Sequence, residues 1–136
     1  MFSLNFLHHQ IIHFPIALLS ISILFDVLGI YLNNDKLFFS SWCALLTGVL
    51  FSIIAIVTGF IADNVYGHMI EPFPIFQTHG STQIIATVSF MVLCFWRYIN
   101  NNTYKRPPVI YLIFGVIFVC ILFYGSHLGA GLVGHY

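Results

Sequence analysis

The sequence has very few charged residues. Lysine, arginine, aspartate and glutamate together make up 6% of its 136 residues, whereas they supply roughly a quarter of an ordinary soluble domain. The four cationic and four anionic side chains cancel, so the chain has no net charge with which to bind a nucleic acid. Because 60% of the residues are hydrophobic and the mean hydropathy is +0.97, the chain is predicted to be a membrane protein.

Paired cysteines and the usual catalytic signatures are also missing. No Cys-x-x-Cys or Cys-x-x-Cys-His is present, which argues against a zinc knuckle, a disulfide framework and a covalently attached c-type haem. Cys43, Cys94 and Cys120 stand alone in apolar stretches and are predicted to be buried. There is no Gly-x-Ser-x-Gly and no phosphate-binding glycine loop. We therefore predict no catalytic residues, and any chemistry would belong to a cofactor.

Long apolar runs are what the sequence does contain. A helix needs about 20 apolar residues to cross a bilayer. Four runs qualify or nearly do, at about residues 11–31, 42–62, 82–99 and 109–128. No basic residue precedes the first run and no small-residue cleavage site follows it, so this span is expected to stay in place. The prediction is an all-α, four-helix transmembrane bundle that forms a single domain over residues 1–136.

The cationic side chains separate by connection. Lys36, Lys105 and Arg106 lie in the first and third connections, and Arg97 ends the third span. The positive-inside rule then places these connections in the cytoplasm and both termini outside it.

The histidines separate in the opposite way. When the chain is threaded through four spans, all seven fall on the outer side: His8, His9, His13, His68, His79, His127 and His135. A single interfacial histidine is ordinarily a polar residue with no ligand role. His13, His79 and His127, however, lie at the ends of three different helices, and ionisable groups at such depths usually mark a functional site.

Imidazole leaves several uses open. It binds haem iron, zinc and copper, and it carries protons near neutral pH. A b-type haem needs two histidines and an apolar slot, whereas a zinc site normally adds cysteine or carboxylate ligands. Asp63 and Glu71 lie on the histidine side and could supply the carboxylate.

A strip of small residues along the second span has two readings. Its members share helical spacing: Ala44, Gly48, Ser52, Ala55 and Gly59. Close helix packing is the ordinary use of such a strip. Room for a flat macrocycle is the other.

Two charged residues are predicted to meet inside the bundle. Asp26 lies thirteen residues inward from His13, or about 20 Å, and Arg97 lies eighteen residues inward from His79, or about 27 Å. Both therefore reach the cytoplasmic third of the membrane. A structural ion pair between Asp26 and Arg97 is favoured over a proton path.

Several short motifs resemble those of DUF2231, a bacterial membrane-protein family with a domain of unknown function. They are "HHQIIHFPIALL", Asp26, "TGFIAD", "THG" at His79, "WR" at Arg97 and the closing "GSHLGAGLVGHY". The resemblance implies four spans in a bacterial inner membrane, and the Rieske-type or c-type cytochrome modules fused to some members imply electron transfer and a haem site. The matching histidines are His8, His13, His79 and His127. His9 replaces a usual proline, and the ending after "GLV" is shorter than in the family.

Taken together, these patterns predict a membrane b-type cytochrome-like protein that binds one or two haems and carries electrons rather than acting as a stand-alone enzyme. His13 and His79 are the predicted axial ligands, with His127 and His8 as alternates or as a second pair. Rieske-type or c-type redox proteins, a quinone and further copies of the chain are the expected partners besides lipid. Two alternatives stay open: a copper or zinc module that uses the same histidines with Asp63 or Glu71, and a cofactor-free accessory subunit.

Overall fold

The computed structural model describes residues 4–66, 75–100 and 104–133, and within these ranges every regular element is helical. This confirms the predicted all-α class. The α-helices are α1 (Leu4–Ile11), α2 (His13–Leu32), α3 (Asp35–Tyr66), α4 (His79–Ile99) and α5 (Val109–Val133), with a short 3-10 helix at Ile75–Gln77 before α4.

Within the described residues, four helical stretches are long and apolar enough to cross a membrane, as predicted. They are His8–Leu32, Asp35–Ile61, His79–Ile99 and Val109–Gly131. The second begins at Asp35, well before the expected residue 42. Helix α3 starts as soon as the preceding turn ends, with an acidic residue in its first turn, where a negative charge stabilises the helix N-terminus.

A break at Ile12 separates α1 from α2. Pro15 is the third residue of α2. N–H groups in the first turn of a helix have no acceptor within that helix, so the absence of an N–H on proline is tolerated there. The Ile12 amide still donates to the His8 carbonyl at 3.1 Å, and Ile12 keeps helical dihedral angles. Helices α1 and α2 are thus separated by a single residue, and the backbone stays helical through the membrane-length stretch His8–Leu32.

Helix α2 ends in a two-residue turn. Asn33 adopts a left-handed conformation (φ 49°, ψ 51°), and the Asn34 amide donates to the Gly29 carbonyl at 3.0 Å. This is a Schellman-type ending, which asparagine tolerates better than most residues. The Asn34 side chain then accepts a hydrogen bond from the Lys36 amide at 3.1 Å. As a result, α2 and α3 form a tight antiparallel pair.

Each of the four long helices packs against its neighbour in chain order, and α5 closes the ring against α2. Helices α2 and α4 therefore face each other across the centre. The core is built from buried apolar side chains: Leu19, Ile23, Leu45, Ala86, Phe90, Leu93, Tyr111 and Leu122. Gly48 of the small-residue strip lies against Leu19, which a Cβ atom at Gly48 would approach to 2.7 Å. At this point the strip serves close helix packing.

The outer surface of the bundle is apolar, as a lipid-facing surface must be. The prediction of buried cysteines is wrong for Cys43 and Cys120, which are exposed on this surface, while Cys94 is half-buried. Lipid is as apolar as a protein core, so an apolar segment in a membrane helix does not reveal which side chains face inward.

Candidate functional site

The histidines of the described residues lie at one end of the bundle. His8 reaches Thr58 near the end of α3, and His79, the first residue of α4, reaches Gly125 near the end of α5. His68, Glu71 and His135 lie outside the described residues, as does the side chain of Asp63. We refer to the part of the bundle that holds His8, His9, His13, His79 and His127 as the histidine end.

His79 has a defined protonation pattern. Its Nδ1 atom lies 2.7 Å from the carbonyl oxygen of Gly125, which can only accept a hydrogen bond. Nδ1 therefore carries the proton, and in the neutral ring Nε2 keeps a lone pair. The half-buried ring packs against Gly129, where a Cβ atom would lie 2.6 Å from both Nδ1 and Cε1. Glycine at position 129 thus makes the space that this imidazole occupies.

His8, on α1, makes a similar contact to α3. Its Nδ1 atom lies 3.0 Å from Oγ1 of Thr58. The Thr58 hydroxyl also has the Ile54 and Ala55 carbonyls as acceptors, each 3.0 Å away. When the hydroxyl donates to either carbonyl, it accepts from Nδ1 of His8, and Nε2 of the neutral ring then keeps its lone pair. The ring packs over Gly59, 3.2 Å from the position a Cβ atom would take.

His8 is close enough to His79 for their charges to interact. It also neighbours His9, with ring centroids 6.0 Å apart. His9, His13 and His127 are exposed, whereas His8 and His79 are half-buried. Within the described residues, the structure groups no three His, Cys, Asp or Glu side chains in a way that would hold a metal ion.

Gln83 supports His79 from one helical turn further along α4. Its Nε2 atom donates to the Leu122 carbonyl at 3.2 Å and to Oγ of Ser126 at 3.1 Å. Together with the His79 bond, these contacts join α4 to α5 over a full turn. Sequence reasoning missed Gln83 and Thr58. A glutamine four residues after a histidine within an apolar span was the available signal for Gln83.

A second polar cluster lies at the opposite end, which we call the arginine end. Nη1 of Arg97 donates to both carboxylate oxygens of Asp26, at 3.0 and 2.7 Å, and to Oγ of Ser41 at 2.9 Å. Nη2 donates to the Phe38 carbonyl at 2.7 Å. The Arg97 and Asp26 side chains are 1% and 0% exposed. The structure therefore places in contact the two residues that their depth in the helices predicts to pair.

Aromatic rings complete the surroundings of this pair. The guanidinium carbon of Arg97 lies 6.0 Å from the ring centroid of Trp42 and 5.8 Å from that of Tyr111. Trp96 packs edge-on against Tyr111 at 6.0 Å. Arg97 thus has carboxylate, hydroxyl and carbonyl acceptors and aromatic faces around it, which suits a fixed helix-pairing contact.

A ring of four membrane-length helices that buries an Asp–Arg pair is the architecture of a polytopic integral membrane protein. The chain belongs to the DUF2231 family, described as a predicted membrane protein, whose profile matches residues 5–136. No curated protein and no solved structure shows significant similarity to it.

Proposed function

We propose that the histidine end binds a b-type haem through Nε2 of His8 and Nε2 of His79, and that the protein carries electrons. The observation that supports this proposal is the hydrogen bond that Nδ1 of each ring makes to another helix. With the Nδ1 proton donated in both bonds, Nε2 of each neutral ring is free to bind iron. Histidines that bind metals are typically held by such a bond, which orients the ring and raises the basicity of the ligand nitrogen.

The donor set fits a haem better than a bare metal ion. A haem iron takes four nitrogens from its macrocycle and needs two from the protein, and a haem bound here would supply reversible one-electron chemistry. A zinc or copper site would need further ligands beyond His8 and His79, such as another histidine with Asp63 or Glu71. The role of Thr58 and the Gly125 carbonyl is to hold both rings in the ligand tautomer.

His8 replaces His13 in the proposed pair. His8 is half-buried, is hydrogen-bonded to another helix and lies in electrostatic range of His79. His13 is exposed at the start of α2, and His127 is exposed on α5. These two are left for a second haem or for contact with a partner.

Placement in the membrane forms part of the proposal. Lys36, Lys105 and Arg106 lie at the arginine end, so the positive-inside rule directs the histidine end towards the periplasm of a bacterial inner membrane. The electron partner there would be a Rieske-type or c-type redox protein, and a quinone within the bilayer would be the other partner.

The test is haem retention by full-length protein produced with ample haem and purified in detergent. His8→Ala and His79→Ala should each reduce the haem-to-protein ratio by about tenfold or more, because each removes an axial ligand. The matched control is His9→Ala, which changes an exposed neighbour of His8 and should retain haem. Thr58→Val keeps the side-chain shape but removes the acceptor for His8, and it should weaken retention.

Three outcomes would contradict the proposal. Equal haem content in the His8, His79 and His9 variants would overturn the ligand assignment. Stoichiometric copper or zinc in a haem-free protein would favour the metal module. A folded wild-type protein with neither haem nor metal would favour a cofactor-free subunit.

A further inference from the structure

Three exposed cationic side chains lie at the arginine end, outside the buried Asp26–Arg97 pair. Lys36 is in the first turn of α3, and Lys105 and Arg106 lie between α4 and α5. Lys36 is about 70 residues from Lys105 and Arg106 in sequence, so only the fold can bring these cations together.

An aromatic stack makes that connection. The rings of Phe39 and Tyr104 lie parallel, with centroids 4.8 Å apart and an interplanar angle of 1°. Lys36 is three residues before Phe39 and so shares its side of α3, while Lys105 directly follows Tyr104. Pro107 is buried and holds the other end of the segment. The three cations therefore lie within three residues of one exposed aromatic stack, and we call this group the cationic patch.

The depth of the cationic patch is indicated by the tyrosines around it. Tyr31 at the end of α2 is 84% exposed and Tyr98 at the end of α4 is 68% exposed. Tyrosine with this exposure at helix ends is typical of the lipid headgroup level. Asp35 is the acidic residue exposed beside the cationic patch in the described part of the chain, so three positive charges there meet one negative charge.

We infer that the cationic patch binds the headgroup of an anionic phospholipid, with its acyl chains against the apolar surface of the bundle. Cations at headgroup depth attract anionic lipids, and clusters of lysine and arginine beside membrane helices recognise their phosphates. The exposed face of the Phe39–Tyr104 stack lies beside these charges and offers apolar surface to the glycerol and upper acyl region. A free phosphate would satisfy the same cations but not the aromatic surface.

Native mass spectrometry of the full-length protein, titrated in detergent with phosphatidylglycerol or phosphatidylcholine, tests this inference. Wild-type protein should retain phosphatidylglycerol preferentially. The combined Lys36→Gln, Lys105→Gln and Arg106→Gln variant should lose that preference, by about fivefold per cation removed. Asp35→Asn removes the nearby negative charge and should strengthen retention. Tyr104→Leu keeps every cation and should weaken it, which provides a second route if the triple variant does not fold.

Equal retention of the two lipids by wild-type protein, or an undiminished preference in the folded triple variant, would overturn the inference. Displacement of bound phosphatidylglycerol by millimolar inorganic phosphate would instead identify a free-anion site. These measurements do not depend on the histidine end, so haem loss and lipid loss can be separated.

Discussion

Arg97 shows how an arginine can be held inside an apolar bundle. Taking a guanidinium out of water is costly, and the cost is offset only if its N–H groups and its charge find partners. The carboxylate of Asp26 neutralises the charge, and the Ser41 hydroxyl and Phe38 carbonyl accept further hydrogen bonds. Trp42 and Tyr111 lie beside the guanidinium and present aromatic surface to it.

Breaking this pair should destabilise the protein strongly. Arg97→Ala and Asp26→Ala are each expected to lower the free energy of unfolding by about 3–5 kcal/mol, since either change leaves a buried charge unpaired. The double variant should lose less than the sum of the two. Unfolding of the four proteins in detergent measures this, with Ser41→Ala as a milder control. Strict additivity would mean that the two charges do not stabilise each other.

Gly129 and Gly131 form a matched pair for testing the His79 position. A Cβ atom at Gly129 would lie 2.6 Å from the His79 ring, whereas a Cβ atom at Gly131 meets nothing within 4 Å. Gly129→Ala should therefore displace the imidazole and reduce haem retention, by about tenfold as expected for a misplaced ligand. Gly131→Ala should leave it unchanged. The same haem-to-protein ratio in both variants would contradict the proposed role of His79.

The partners of single residues can be predicted from the sequence only in part. Depth along a helix follows from residue number, which is why the sequence alone is enough to match Asp26 with Arg97. Rotation about the helix axis cannot be inferred in this way, because a membrane helix is apolar on every side. For that reason the sequence does not predict Thr58 as the partner of His8, nor Gly125 as the partner of His79.

At the scale of elements, the helices can be located from hydropathy but their ends cannot. Helix α3 begins at Asp35 because the turn before it closes within two residues, a matter of hydrogen bonding that hydropathy does not register. From the sequence, Pro15 is compatible with a helix that begins before His13 or just after it. In the structure α2 begins at His13, directly after Ile12. Of these two histidines, His8 is the one hydrogen-bonded to another helix, and His13 is exposed.

The turn at Asn33 offers a test of the α2–α3 connection. A β-branched residue fits the left-handed conformation poorly, so Asn33→Val should lower the free energy of unfolding by roughly 1–2 kcal/mol. Asn33→Gly removes the steric conflict and should be at least as stable as wild type. Thermal unfolding of the full chain compares them. Equal stability of the two variants would show that the turn does not fix this helix pair.

At the scale of the whole molecule, the bundle has two chemically different ends. The histidine end holds imidazoles whose Nδ1 atoms are hydrogen-bonded to other helices, and the arginine end holds the buried ion pair and the cationic patch. The sorting of charge and histidine along the sequence predicts this polarity. The DUF2231 motifs include several of these histidines but contain no information on what the histidines bind.

Reporter fusions test the orientation of the bundle. With both termini outside the cytoplasm, alkaline phosphatase fused to the C-terminus should be active and a fused green fluorescent protein should be dark. A fusion made directly after Arg106 should give the reverse result. Fluorescence from the C-terminal fusion would contradict the predicted orientation and would turn the histidine end towards the cytoplasm.

The most direct measurement is an optical spectrum of the detergent-purified protein, produced with ample haem, first air-oxidised and then reduced with dithionite. Sharp α and β bands on reduction, with a shifted Soret band, are the predicted result for iron held by His8 and His79. A well-folded protein with a flat visible spectrum under the same conditions would contradict the proposal that the histidine end binds haem.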